Sequence, residues 1–442
     1  MILVGNGRLV ARDTVNSVIE DGCVAFQDNL IMEVGSTTAL KSRYPRARFI
    51  DAGKKLIMPG LINTHMHFYS TFARGMASKT PPPRDFLEIL ERLWWRLDKT
   101  LTLEDVYYSA MIPIVECIRT GTTTIFDHHA SPNSVHGSLF KIAEAALEAG
   151  VRSCLCYEVS DRDGEQIADN GIQENMDFIH YCSQENNPML KGMFGLHASL
   201  TLSDRTLKKC VAKNSGTGTG FHVHVAEGIQ DLDDAKKKYG MGVVERLHQE
   251  QVLGEKSIAV HCVHISDKEI EILRDTKTNV VHNPESNMGN AVGVSPVLEM
   301  FGQGVNIGLG TDGYTGDMFE SFKVANCFHK HAQGHPSVAW TEIPQMVFEN
   351  NRKIAAQYFE NPLGILAPGA FADIIVVDYD PPTPLGAENI NGHLLFGVSG
   401  RSVETTIING QIVMENRKLL TVDEQAICAK SRELASKVWE RI

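Results

Sequence analysis

Short apolar runs divided by turn residues open the chain: Ile2-Leu3-Val4, Cys23-Val24-Ala25-Phe26, Leu30-Ile31-Met32-Glu33-Val34 and Phe49-Ile50, with Asn-Gly, Asp-Asn and Gly-Lys between them. Runs of that length with such punctuation predict short β-strands, hence a small β unit from Met1 to about Met58. The far end has the same texture. Ala372 to Asp378 holds the apolar run Ile374-Ile375-Val376-Val377, and Thr406-Ile407-Ile408, Asn409-Gly410, Gln411-Ile412-Val413 predicts a hairpin with a two-residue turn. Two β-rich ends are expected to pair into one accessory β-sandwich, residues 1–58 with 366–442.

Between them, residues 59–365 alternate strand-like runs with segments of helical period. Thr122 to Phe126 is followed by Leu139 to Leu147 with a stop at Gly150, and then by Cys154-Leu155-Cys156. Such alternation predicts a parallel α/β fold, either a closed barrel or an open sheet. A final helical segment runs from Glu424 to Trp439.

Composition agrees with a folded enzyme-sized protein: 442 residues, 43% hydrophobic and 22% charged, enough for one large core with an attached smaller unit. A formal charge of -12 argues against a surface built to grip nucleic-acid phosphates or anionic membranes. No run of about 18 apolar residues is present, and the first residues lack a basic stretch followed by a long apolar one, so the cytoplasm is the expected location. The nine cysteines are scattered without a Cys-x-x-Cys pair and are expected to be reduced core residues.

The chemistry lies where apolar runs end. His65-Met66-His67 follows Leu56 to Thr64; His222-Val223-His224 leads to Glu227; His261-Cys262-Val263-His264 follows Ile258 to Val260; His282 follows Val280-Val281; and Gly310-Thr311-Asp312-Gly313 follows Val305 to Leu309. In a strand, residues i and i+2 share a face, so His65 and His67 can aim at one point. One such pair alone is more readily a structural pair of partly buried or surface histidines. Strand after strand ending this way is not, because parallel strand ends converge on one face. Imidazole and carboxylate donors without thiolate suit zinc, iron or another borderline divalent ion, which lowers the pKa of a bound water. Glu227, three residues after His224, is placed to shuttle protons, and Asp312 to bind metal and accept a proton. Gly308-Leu309-Gly310-Thr311-Asp312-Gly313 also matches Gly-x-Gly-x-x-Gly, but its internal aspartate would repel a pyrophosphate.

Taken together and in this order, Pro59 to His67, His222 to Glu227, His261 to His264, His282 to Asn287, Thr311-Asp312-Gly313 and Leu366 to Asp373 resemble the amidohydrolase superfamily, in its branch of cytosine and guanine deaminases and chlorotriazine hydrolases. More narrowly, Leu93 to Asp98 and Asp127 to Pro132 are similar to the SsnA group of aminohydrolases, linked by name to selenium metabolism. The resemblance implies a (β/α)8 TIM-type barrel beside the accessory β-sandwich. It also implies one divalent ion, zinc ahead of iron, held by His65, His67, His224 and Asp312. Catalysis would rest on Glu227, His261 and Asp312, with His197, Trp95 and His128 at the substrate. A bridging carboxylated lysine, needed for two metals, is absent at Phe194-Gly195-Leu196-His197. Trp95-Arg96-Leu97-Asp98 replaces the Pro-x-Glu of nucleoside-type enzymes, which argues against an adenosine-like substrate.

The expected activity is hydrolysis of an exocyclic amino group from a nitrogen heterocycle, with release of ammonia. Two rivals remain at this stage: hydrolysis of another C–N or C–Cl bond at the same site, and a catalytically silent metal-binding protein of selenium or purine metabolism. The expected partner is a small heterocycle, with neither nucleic acid nor membrane, and the resemblance implies a homodimer.

Overall fold

A computed structural model describes residues 1–13, 17–77 and 79–442. The chain opens with β1 (Ile2–Val10), β2 (Val18–Gln27), β3 (Leu30–Ser36), β4 (Arg48–Asp51) and β5 (Leu56–Pro59). It continues with β6 (Leu61–Met66), β7 (Thr122–His129), β8 (Arg152–Tyr157), β9 (Leu190–Gly192), β10 (Phe194–Ala198), β11 (Phe221–Val225), β12 (Ile258–His261), β13 (Asn279–His282) and β14 (Ile307–Leu309). It ends with β15 (Ile374–Val377), β16 (Val403–Ile408), β17 (Gln411–Glu415) and β18 (Lys418–Leu419), then helix Glu424–Arg441.

The central strands form two parallel sheets, β6-β7-β8-β9 and β10-β11-β12-β13-β14. Helices such as Leu103–Thr120, Ser138–Ala149 and Glu165–Glu185 return the chain between strands, as parallel pairing requires. All eight residues of β7 and all six of β8 are buried, the mark of a sheet covered on both faces. The two sheets meet at both edges. Parallel bridges join Met66 to Asp312 and Val159 to Leu196. The His65 carbonyl accepts from the amides of Thr311 and Asp312 at 3.0 and 3.1 Å.

Asn351 clamps the first of these seams. Its side chain donates to the carbonyls of Ile62 and Leu309 and accepts from the Leu309 amide, at 2.7, 2.8 and 2.8 Å. Gly308 and Gly310 are explained by this packing. A Cβ at Gly308 would stand 2.4 Å from Asn351 Oδ1, and one at Gly310 would stand 2.5 Å from Asn283 Oδ1. Close packing therefore accounts for the glycine pattern.

Both ends of the chain combine in one continuous nine-stranded mixed sheet, ordered β18-β17-β16-β15-β5-β1-β2-β3 with β4 paired to β1. The expected hairpin is there, with Asn409 and Gly410 both in the left-handed region at φ 51° and 77°, the conformation a two-residue turn with the right twist demands. Arg152, at the start of β8, forms a fully buried ion pair with Asp373 just before β15, and so ties the parallel sheets to the mixed one. Among the described residues no helix is long and apolar enough to cross a membrane.

Candidate metal centre and pocket

Because the central strands run parallel, their C-terminal ends gather the strand-end histidines on one face. His65 and His67 leave β6, His222 and His224 lie on β11, His261 ends β12, and Asp312 follows β14. Each is buried. His261, Asp312 and Ala226, which follows β11, hold φ of 72°, 54° and 47°, a left-handed conformation that costs non-glycine residues about 1–3 kcal/mol and clusters at functional sites.

Hydrogen bonds fix which imidazole nitrogens are free. His67 Nδ1 donates to the His128 carbonyl at 2.6 Å, and His224 Nδ1 donates to the His197 carbonyl at 2.9 Å. With both Nδ1 atoms protonated, the two Nε2 atoms carry lone pairs, yet they face each other at 3.1 Å. Facing lone pairs repel unless a cation lies between them, and tetrahedral ligands at about 2.1 Å from zinc sit a little over 3 Å apart. Asp312 Oδ1 lies 3.5 Å from His67 Nε2. His65, His67 and His224 form one group able to hold a metal ion, and His65, His261 and Asp312 form another. The donor set thus fits a divalent ion. His65 Nε2 is buried without a hydrogen-bond partner, while its Nδ1 meets His222 Nε2 at 2.9 Å.

Two carboxyls in this site are tuned in opposite directions. Burial, reinforced by the charge of Asp312, raises the Glu227 carboxyl well above its usual range, against a hydrogen bond from Asn290. Burial also opposes ionisation of Asp312, but His67, His261, Ser286 and the Gly313 amide outweigh it and keep the carboxyl below its usual range. His261 Nε2 stands between them, 3.3 Å from Glu227 Oε2 and 3.5 Å from Asp312 Oδ2, while its Nδ1 meets Asn287 Oδ1 at 2.9 Å.

His67, His224, Glu227 and Asp312 form the floor of a pocket that opens towards solvent. Phe86, Leu90, Trp94 and Trp95 supply an apolar wall. A π-helical turn at Leu90–Trp94 interrupts the helical segment there, and the two tryptophans stand at its end, a frequent location for functional sites. His197 also borders the pocket, with its Nδ1 at 2.6 Å from Thr201 Oγ1 and its ring 6.0 Å from that of Trp95.

His128 differs from expectation. It is fully buried, its Nε2 faces the Leu196 and His222 carbonyls at 3.1 and 3.2 Å, and it does not line the pocket. The residue that does is Glu158, 3.4 Å from His128 Nδ1. Burial acts to raise the Glu158 carboxyl, yet His197, His128 and Arg162 together hold it below its usual range. Sequence reasoning passed over Glu158, although it follows directly on the apolar strand β8, the same signal that marked the histidines. Asn287 and Asn290 were also missed. His129 Nε2 meets Ser131 Oγ at 2.9 Å, His282 Nε2 meets His329 Nε2 at 3.1 Å, and His264 is half-buried beside Val292.

Fold and site together define a metal-type hydrolase of the carbon–nitrogen class, and the chain belongs to the amidohydrolase family, whose sequence profile matches residues 56–413. It is 32% identical over 446 residues, covering 100% of this chain and 99% of its relative, to a 5'-deoxyadenosine deaminase of Methanosarcina mazei. In structure it is similar to a zinc-bound adenosine deaminase from Xanthomonas campestris, with TM-score 0.88, 22% identity, and 99% and 98% of the two chains covered. It is similar too to an atrazine chlorohydrolase of Arthrobacter aurescens TC1 complexed with zinc, with TM-score 0.82, 21% identity, and 98% and 100% covered.

Proposed function

We propose that this protein is a deaminase that hydrolyses an exocyclic amino group from a nitrogen heterocycle of the cyclic amidine type. The observation that carries the reading is the pair of unprotonated Nε2 atoms of His67 and His224, 3.1 Å apart, on the floor of a pocket where the carboxyl of Glu227 is raised beside the lowered one of Asp312. The two bridged parallel sheets are read as one (β/α)8 barrel spanning residues 59–365, with residues 1–58 and 366–442 as its accessory unit.

His65, His67, His224 and Asp312 would hold one divalent ion, zinc first. Such an ion supplies a nucleophilic oxygen at neutral pH and polarises it towards the substrate. The residues do the rest. Asp312, ionised, accepts the proton that the attacking water releases. Glu227, protonated, gives its own proton to the ring nitrogen next to the carbon under attack, so that the carbon becomes tetrahedral without a buildup of negative charge on the ring. Asp312 then passes its proton to the exocyclic nitrogen and ammonia leaves, while the new hydroxyl gives its proton to Glu227 as it becomes a carbonyl, which restores both carboxyls. His261, between the two, orients the water; His197 and Trp95 hold the ring.

The relative's named substrate, an aminated purine nucleoside, belongs to the same chemical class. Metal-analysed protein tested against aminated purines, pteridines, pyrimidines and triazines should release ammonia from at least one of them. Metal-loaded protein that releases none from any would overturn the reading.

A further inference from the structure

The pocket has a charge pattern that the reaction itself does not require. Five acids line it, Asp98, Glu158, Glu227, Asp231 and Asp312, and among its lining residues there is no lysine or arginine. Glu227 and Asp312 belong to the reacting centre. Asp231 is taken up by the backbone, accepting from the Leu200 and Ala226 amides at 2.8 and 2.9 Å. Asp98 is paired through Oδ2 with Arg162.

Glu158 alone is held without being used. His128 Nδ1 stands 3.4 Å away, and His197 Nε2 and Arg162 Nη2 each stand 3.9 Å away. These groups fix its charge and position. Among the described residues its nearest donor is His128 Nδ1, which is too long and poorly aligned for a full hydrogen bond although it still helps hold the carboxyl down. Burying a carboxylate that way is costly unless something else supplies the donors. Two more buried atoms on the same side are unsatisfied, Asp98 Oδ1 and Trp95 Nε1. Trp95 also lies under the Arg162 guanidinium at 5.4 Å, so the carboxylates and a flat aromatic wall share one slot.

We propose that Glu158 is the substrate-anchoring carboxylate: it accepts two N–H donors from a ring edge that does not carry the leaving amino group, so the pocket takes neutral or cationic heterocycles with a second amidine-type edge and rejects those bearing a phosphate or carboxylate. A carboxylate facing a paired ring N–H and amino group makes two parallel charge-assisted hydrogen bonds, the arrangement it forms best with planar donors. An anionic substituent would enter a slot lined by Glu158 and Asp98 with no cation on its surface to receive it. Arg162 is then a positioning residue, one layer behind.

The proposal takes from the deaminase reading only which amino group leaves, and it is tested by binding alone. Zinc-loaded full-length protein is titrated calorimetrically with 2,4-diaminopyrimidine, 4-aminopyrimidine and 2,4-diaminopyrimidine-5-carboxylate, while zinc content is counted. The diamino compound should bind at least tenfold tighter than either of the others. Glu158→Gln should erase at least tenfold of that preference, and Glu158→Asp should retain part of it. Equal binding of the three compounds by the wild-type protein overturns the proposal without need of any variant. So does an unchanged preference in Glu158→Gln, or a second zinc per chain that Glu158→Gln removes. Selectivity that depends on Glu158 with no ammonia from any compound would sink the deaminase reading and leave this one standing; ammonia release with no selectivity does the reverse.

Discussion

Glu227 is enclosed with Asp312 on one side and a single amide donor, Asn290, on the other. Its raised carboxyl and the lowered one of Asp312 divide acid from base without either residue being unusual in itself. Glu227→Gln keeps the shape and the Asn290 neighbour but cannot pass a proton. Ammonia release should drop by about 10²- to 10⁴-fold with metal content unchanged; wild-type turnover would remove Glu227 from the chemistry. His224→Ala should act differently. It removes one of the two facing Nε2 atoms, so the expected loss is of metal itself, read by elemental analysis after dialysis, with activity falling in parallel.

What was legible at this scale, and what was not, follows from how each residue is partnered. His65, His67, His224, His261 and Asp312 could be found because each ends an apolar strand and their common convergence is a property of parallel sheets. Glu158 ends a strand as well. But a lone glutamate in a loop looks like any solvated acid until Arg162, His128 and His197 are seen around it, and His128 and His197 come from other strands. The same blindness put His128 in the pocket: its sequence neighbours do not reveal that the Leu196 and His222 carbonyls claim its Nε2.

At the scale of elements, the strands were legible from their apolar runs and their termini from glycine and asparagine, as at Asn409-Gly410 and Gly150, where φ is 83°. The seams between the sheets were not, since they depend on single residues far apart in sequence. Asn351 is one: it satisfies two carbonyls and an amide of β6 and β14. Asn351→Ala leaves those buried groups unpaired and should cost about 2–4 kcal/mol, measured by denaturant unfolding. As the same seam places His65 and Asp312, metal affinity should weaken with it. If stability fell with metal affinity intact, the seam would be structural alone.

At the scale of the whole molecule, buried histidines make stability depend on pH. His329 is held by burial at a pKa of about 4, against about 6.5 when unfolded. Above the unfolded value both states are neutral and the group is silent. As pH falls from there towards 4, the unfolded chain takes up a proton that the folded one refuses, so stability falls. The whole effect is roughly 3 kcal/mol. His329→Asn should flatten the acid limb of a stability profile measured on metal-free protein, and a limb as steep as that of the wild type would show that other groups carry it. The Arg152–Asp373 pair works at the same scale. Arg152→Met strands a buried carboxylate and should cost about 3–5 kcal/mol, while adding Asp373→Asn should return part of the loss.

The nine-stranded sheet also sets a timetable for the chain as it is made. β5 lies between β1 and β15, with Pro59 opposite Ile374, so one neighbour of the strand that leads into His65 is synthesised more than three hundred residues after it. At ordinary translation speeds that gap lasts roughly 15 to 60 s. For all that time the apolar edge of Leu56-Ile57-Met58 has no partner from its own chain on that side, and exposed edges pair with whatever strand is near. A message cut short between codons 312 and 374 should therefore yield a polypeptide with all four proposed metal ligands present but its sheet left open to aggregation.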